Sequence, residues 1–265
     1  MYYIDYHSHT CLSPDSDTPL TDMADAALAA GLSELCITDH YDLQGEHGGC
    51  NPPFDWAPAL EQFRAAQPRY AGRLQLRLGL ELGGAPVDPD YCAQLLQQDA
   101  LDFVIGSLHN MSPQGGGIDF YYLDYSNEEN CYAALDDYFT SMEALVARPE
   151  LYDVLGHIIY PLRYMLPTIT LSPFWDRIRS ILRQAVETGR GMEVNTYRGK
   201  SIEEWRDLLT LYRSLGGELI TVGADAHIPQ SVGKGIPQAY ELLRETGFRY
   251  VTVYQGRKPR MLPLD

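Results

Sequence analysis

The stretch YHSHTCLSPDSD, residues 6–17, places two histidines at alternate positions directly after an apolar run at the start of the chain. Residues i and i+2 of a strand point to the same face, so His7 and His9 aim together. Two imidazoles side by side suit a metal ion, whereas two imidazolium groups there would repel. The pair has weight only if other potential ligands occupy equivalent places, so the rest of the chain is read for strand ends. Tyr2–Tyr6, Leu35–Thr38, Leu74–Leu82, Phe103–Leu108, Asp153–Gly156, Met192–Thr196 and Leu219–Gly223 read as seven short apolar strands. Helical periods separate them: Thr21–Ala30 with Thr21 as N-cap and Gly31 as stop, Asp55–Tyr70, Asp88–Asp99, Asn127–Val146, Pro173–Thr188, Ile202–Ser214 and Pro237–Glu245. A last β run, Tyr250–Tyr254, follows.

Strand and helix in strict alternation predict a parallel sheet, open or closed. The histidines decide between the two. His7 and His9 follow the first strand, His40 the second, His109 the fourth, His157 the fifth, and Asp225 with His227 the seventh; Glu81 ends the third. In an open sheet these ends lie in a row too long to share one site. Closed into a barrel, they converge on one mouth. The expected fold is therefore a distorted, TIM-like α/β barrel of seven βα units, with the site at the C-terminal ends of the strands and residues 1–265 forming one domain. His47, in EHGGCNPP, falls outside the pattern and reads as a loop residue.

Imidazole and carboxylate together select zinc, iron or manganese over calcium or magnesium. With no cysteine at a strand end, a structural zinc site is disfavoured. The ligands outnumber what one ion needs, which predicts two or three divalent metals bridged by a carboxylate. Composition narrows the partners. The formal charge is −16, with 20 basic residues scattered among 36 acidic ones, and nucleic-acid binding needs concentrated basic charge. No nucleic-acid partner is expected, and the basic cluster RKPR (257–260) reads as a solvated tail. No apolar run is long enough for a membrane span, and five cysteines without a CxxC pair fit reduced thiols, so a cytoplasmic protein is expected. The oligomeric state is not legible.

The ordered motifs HSH (7–9), TDH (38–40), GLELG (79–83), GSLH (106–109), LGH (155–157), EVNT (193–196) and GADAH (223–227) resemble the polymerase-and-histidinol-phosphatase (PHP) superfamily, in its histidinol-phosphate phosphatase branch. The resemblance implies a trinuclear centre. His7, His9, Glu81 and Asp225 would hold one metal, Glu81 with His109 and His157 a second, and His40 with His227 a third. Asp15 would complete the third site, with Asp17 as rival. A hydroxide bridging the metals held by Glu81 and Asp225 would attack phosphorus. Three divalent ions bring six positive charges, and Asp15, Glu81, Asp225 and one hydroxide offset four, which leaves a site suited to a phosphate monoester dianion.

Asp39 and Glu193 are read as outer support that orients the histidines. Arg163 and Arg198 are candidates for the phosphate. Asp42 and Asp119 are candidates for the ammonium and imidazole of histidinol phosphate, with Tyr122 or Tyr121 packing the ring. The implied function is hydrolysis of this small phosphorylated metabolite in histidine biosynthesis. The alternatives are a PHP phosphoesterase for another small phosphate, such as a nucleotide or sugar phosphate, and a non-catalytic metal-binding module.

Overall fold

The computed structural model describes residues 1–264. In chain order its elements are β1 (Ile4–Asp5), α1 (Leu20–Ala29), β2 (Glu34–Ile37), β3 (His40–Asp42), α2 (Trp56–Tyr70), β4 (Gln75–Gly83), α3 (Pro89–Leu95), β5 (Phe103–Ser107), α4 (Glu128–Val146), β6 (Val154–Leu155), α5 (Trp175–Glu187), β7 (Gly191–Asn195), α6 (Arg206–Ser214), β8 (Ile220–Gly223), α7 (Ile236–Glu245), β9 (Tyr250–Gln255) and β10 (Lys258–Pro263). Seven strands pair in parallel in the order β1, β2, β4, β5, β6, β7, β8. Between β8 and β1 the Tyr6 N–H donates to Val222 O at 2.9 Å, and the His9 N–H donates to Ala226 O at 2.8 Å. These bonds bring the last strand back to the first and make the sheet a nearly closed seven-stranded barrel, as expected from the strand-end histidines.

Both faces of these strands are covered, which is why they read as apolar runs without alternation. Every residue of β2, β5, β6, β7 and β8 is buried. The helices turn one stripe inward: α5 buries Ile178, Ile181, Leu182 and Ala185, at helical spacing on one face. Asp55 caps α2 through the Ala57 N–H, and Asn127 caps α4 through the Asn130 N–H.

Four expectations are corrected. Helix α1 starts at Leu20 behind Pro19, so Thr21 lies inside it and caps nothing. Helix α3 stops at Leu95 instead of continuing to Asp99. Strand β2 ends at Ile37; His40 opens the separate β3, which pairs with the extension of β4 (His40 opposite Glu81) and brings this histidine to the glutamate. RKPR is not a tail. Gly256 and Arg257, at φ 53° and 59°, form a two-residue hairpin turn, and β10 pairs antiparallel with β9. The hairpin packs at the N-terminal end of the barrel, where the Tyr254 N–H donates to the Tyr6 hydroxyl. Arg257 reaches the buried Asp153 carboxylate at 3.1 Å, with Arg190 on the same carboxylate at 3.2 Å. Among the described residues no helix is long and apolar enough to cross a membrane.

Candidate metal centre

Glu81 lies at the middle of the barrel mouth, fully buried, in the extended part of β4. Its Oε2 is 2.9 Å from His7 Nε2, 3.5 Å from His9 Nε2 and 3.0 Å from His40 Nδ1. The other oxygen is 2.8 Å from His157 Nε2 and 3.2 Å from His109 Nε2, and accepts the Ser107 hydroxyl at 2.7 Å. Five histidines from four places around the mouth, after β1 (His7 and His9), in β3, after β5 and after β6, thus meet one carboxylate. Burial opposes ionisation of Glu81, yet the imidazoles of His7, His40 and His109 outweigh it and hold the carboxyl well below its usual range.

Asp225, after β8, aims Oδ1 at the same centre, 3.7 Å from His7 Nε2 and 3.6 Å from His9 Nε2. It adopts φ 59°, a left-handed conformation that costs energy for a residue other than glycine. Two glycines make this crowding possible. A Cβ on Gly83 would overlap the Asp42 carboxylate, and one on Gly223 would overlap His7.

Donor sets of metal-site size recur here: His7, His9 and Glu81; Glu81, His109 and His157; His7, His157 and Asp225; and His9, His40 and His227. His9 Nε2 is buried without a hydrogen-bond partner, although it faces Glu81 and Asp225. A bare imidazole nitrogen in a pocket of carboxylates is the arrangement a cation satisfies, so these residues fit divalent transition metals. Asp15 reaches the cluster from the first loop, 2.8 Å from His227 Nε2 and 3.9 Å from His40 Nε2. Asp17 belongs to none of these groupings and is exposed.

The far nitrogen of several rings is held by a named partner. His7 Nδ1 meets Glu193 Oε1 at 2.6 Å, and the other Glu193 oxygen accepts the His157 backbone N–H at 3.0 Å. Asp39 touches no imidazole. It accepts the Ser13 hydroxyl at 2.9 Å, and Ser13 Oγ stands 3.1 Å from His9 Nδ1, so Asp39 reaches the histidine through a serine. His109 Nδ1 is bonded to Asp42 Oδ1 at 2.8 Å. Asp42 is therefore engaged with a histidine, and it also stands 3.9 Å from His40 Nδ1.

Above the cluster opens a cleft of about 530 Å³. Arg163 enters it with Nη1 3.1 Å from Asp225 Oδ2 and Nη2 donating to Asn195 Oδ1 at 3.0 Å. Its guanidinium lies over the Tyr197 ring at 4.1 Å. Arg198 lines the same wall, with Nε donating to the Asp225 carbonyl at 3.2 Å and Nη2 3.2 Å from His227 Nδ1. Asp119, whose carboxyl is pushed up by burial, and Tyr121, whose ring packs edge-on against Tyr164, also line the cleft.

Tyr122 is corrected: its ring packs on His47 and its hydroxyl donates to Glu46 Oε2 at 3.1 Å, outside the cleft lining. The short 3-10 turn at 120–122 sends adjacent tyrosines in different directions, and Tyr121 is the one that lines the cleft. Sequence reasoning passed over Ser13, Ser107, Asn195 and Glu46. Asn195 lies two residues after Glu193 in β7, and Ser107 two before His109, so strand parity held the signal for both.

The barrel and the histidine–carboxylate mouth define a class, a parallel-barrel protein built around a site for several metal ions. The family model described as the PHP domain matches residues 5–197, and the chain belongs to the PHP family. A histidinol-phosphatase of Lactococcus lactis subsp. lactis is 28% identical over 97% of this chain and 96% of its own length. A Deinococcus radiodurans protein named "Probable histidinol-phosphatase" is 30% identical over 96% of this chain and 97% of its own. Among solved structures, the histidinol phosphate phosphatase from the same Lactococcus, complexed with zinc, L-histidinol and phosphate, superposes with a TM-score of 0.85 at 26% identity. It covers 97% of this chain and 98% of that one.

Proposed function

We propose that this chain is a metal-dependent phosphomonoesterase that hydrolyses L-histidinol phosphate to L-histidinol and phosphate. The observation that carries the reading is the Glu81-centred ligand cluster at the floor of a cleft whose walls combine two arginines with the carboxylates of Glu46 and Asp119. The match to histidinol-phosphatases over nearly the whole chain supports it.

His7, His9, Glu81 and Asp225 would hold one metal, Glu81, His109 and His157 a second, and His40, His227 and Asp15 a third. When bound, such ions polarise phosphoryl oxygens and make water nucleophilic at neutral pH. The remaining work belongs to the chain. Arg163 and Arg198 offer N–H donors to the non-bridging oxygens and fix the phosphoryl group over the cluster. Asp119 and the neighbouring Glu46 accept from the ammonium or imidazole, while Tyr121 and Tyr164 cover the organic part and limit water. Glu193, Asp42 and Ser13 keep Nδ1 of His7, His109 and His9 occupied, so that Nε2 of each faces the centre.

The substrate is a small metabolite with no nucleic acid involved, and the place of action is the cytoplasm, where five unpaired cysteines stay reduced. The test is phosphate release from histidinol phosphate against p-nitrophenyl phosphate, a nucleoside monophosphate and a hexose phosphate. A kcat/KM highest for histidinol phosphate is expected. Preference for one of the other esters would move the protein to another PHP phosphoesterase activity, and no turnover of any would leave a metal-binding module.

A further inference from the structure

Asn195 is buried at the last position of β7 and closes a ring of three hydrogen-bonded side chains. Arg163 Nη2 donates to Asn195 Oδ1 at 3.0 Å; Asn195 Nδ2 donates to Asp225 Oδ2 at 3.3 Å; Arg163 Nη1 meets the same Asp225 oxygen at 3.1 Å. Asn195 Oδ1 accepts a second bond, from the Tyr197 backbone N–H at 2.9 Å.

The amide cannot be reversed. Both neighbours of Oδ1 are obligate donors, so a flipped amide would set NH2 against two N–H groups and a carbonyl oxygen against a carboxylate. The ring has two consequences. It occupies Asp225 Oδ2 from two sides, which leaves Oδ1 as the oxygen that faces His7 and His9. It also fixes the turn that follows β7. Tyr197 and Arg198 both have positive φ, 45° and 59°, a conformation held by the bond to Asn195 and by the Arg198 N–H on Ala224 O at 2.8 Å. The Tyr197 ring supported by that turn is the face on which the Arg163 guanidinium lies. Asn195 therefore touches Arg163 twice over, directly through Oδ1 and indirectly through Tyr197.

We propose that Asn195 is the positioning residue of the phosphate subsite, aiming the Arg163 guanidinium into the cleft directly and through the Tyr197 turn. This rests on the reading that Arg163 grips the phosphoryl group. Asn195 acts through Arg163 and does not itself touch substrate.

The test uses metal-loaded protein: the parent, Asn195→Ala, Arg163→Ala and the double variant. The measurements are inorganic phosphate affinity by calorimetry, bound metal by elemental analysis, and KM and kcat for histidinol phosphate and p-nitrophenyl phosphate. Asn195→Ala should weaken phosphate and raise KM about tenfold for both esters, with metal retained. The double variant should bind phosphate no more weakly than Arg163→Ala, because one pathway carries both effects. Multiplied losses in the double variant, or lower thermal stability with parental phosphate affinity, overturn the inference. Asn195→Asp keeps the shape and both acceptor contacts but adds an anion that competes with phosphate for Arg163. Parental phosphate affinity in that folded variant also overturns it. If the parent neither binds phosphate nor turns over either ester, the functional reading falls and takes this inference with it. If Arg163→Ala weakens phosphate and Asn195→Ala does not, only the role of Asn195 falls.

Discussion

Glu193→Gln changes one oxygen to an NH2 group and should do more harm than its size suggests. The Glu193 carboxylate accepts on both oxygens, from His7 Nδ1 at 2.6 Å and from the His157 backbone N–H at 3.0 Å, in a site with almost no solvent. A glutamine has one acceptor. Whichever way the amide turns, one of the two N–H groups faces another N–H. Losing a hydrogen bond to a charged group costs about 1.5–3 kcal/mol, and the stranded buried donor adds about 1–3 kcal/mol. The sum is about 4 kcal/mol, near 10 °C in Tm for a chain of this size.

The assay is chemical and thermal unfolding of metal-free protein, so that bound ions do not mask the loss. Zinc titration and kcat/KM should follow on the refolded material. Metal affinity or activity should fall by about 10–100-fold, because His7 loses the partner that sets its orientation. Stability within about 0.5 kcal/mol of the parent, together with unchanged zinc affinity, would refute the reasoning.

Three further outcomes follow from particular contacts. Asp119→Ala should lower kcat/KM for histidinol phosphate about tenfold or more and spare p-nitrophenyl phosphate, whereas Asp42→Ala should slow both because it strips His109 of its Nδ1 partner; the ratio of the two substrates in each variant decides. Arg257→Ala should destabilise the fold by about 3 kcal/mol, read by denaturant titration, since it leaves the buried Asp153 carboxylate with Arg190 as its remaining guanidinium; bound metal should not change. Gly223→Ala should cost about 1–3 kcal/mol and reduce bound metal, because the new methyl overlaps His7 and crowds Glu193; full metal content at parental stability would show that the mouth is looser than described.

Most of the barrel was legible because its strands are buried on both faces, so apolar runs such as 103–107 stand out and histidines mark their ends. The run at 250–254 marked β9, but its partner β10 was not legible. Lys258, Pro259, Arg260 and Pro263 are poor strand residues by composition, and they are tolerated because β10 pairs on one side only. Strand β3 was hidden for a different reason: three residues carry no period, and their pairing depends on the length of β4. In the site, parity brought out His7 with His9, and position after the seventh strand brought out Asp225 with His227, whereas the engagement of Asp42 with His109 is a contact between separate strand ends that no local spacing encodes. Tyr121 and Tyr122 could not be separated because a 3-10 turn has neither the strand's period nor the α-helix's.

The most direct test of the central claim pairs metal dependence with the residue at the middle of the cluster. Histidinol phosphate turnover is measured for the zinc-loaded parent, for the parent after chelation and after zinc is restored, and for Glu81→Gln, with bound metal determined on each sample. Two to three metal equivalents and turnover are expected in the parent, loss of both on chelation, recovery with zinc, and loss of both together in Glu81→Gln. Turnover that survives complete chelation, or a Glu81→Gln variant with full metal and parental kcat, would contradict the claim.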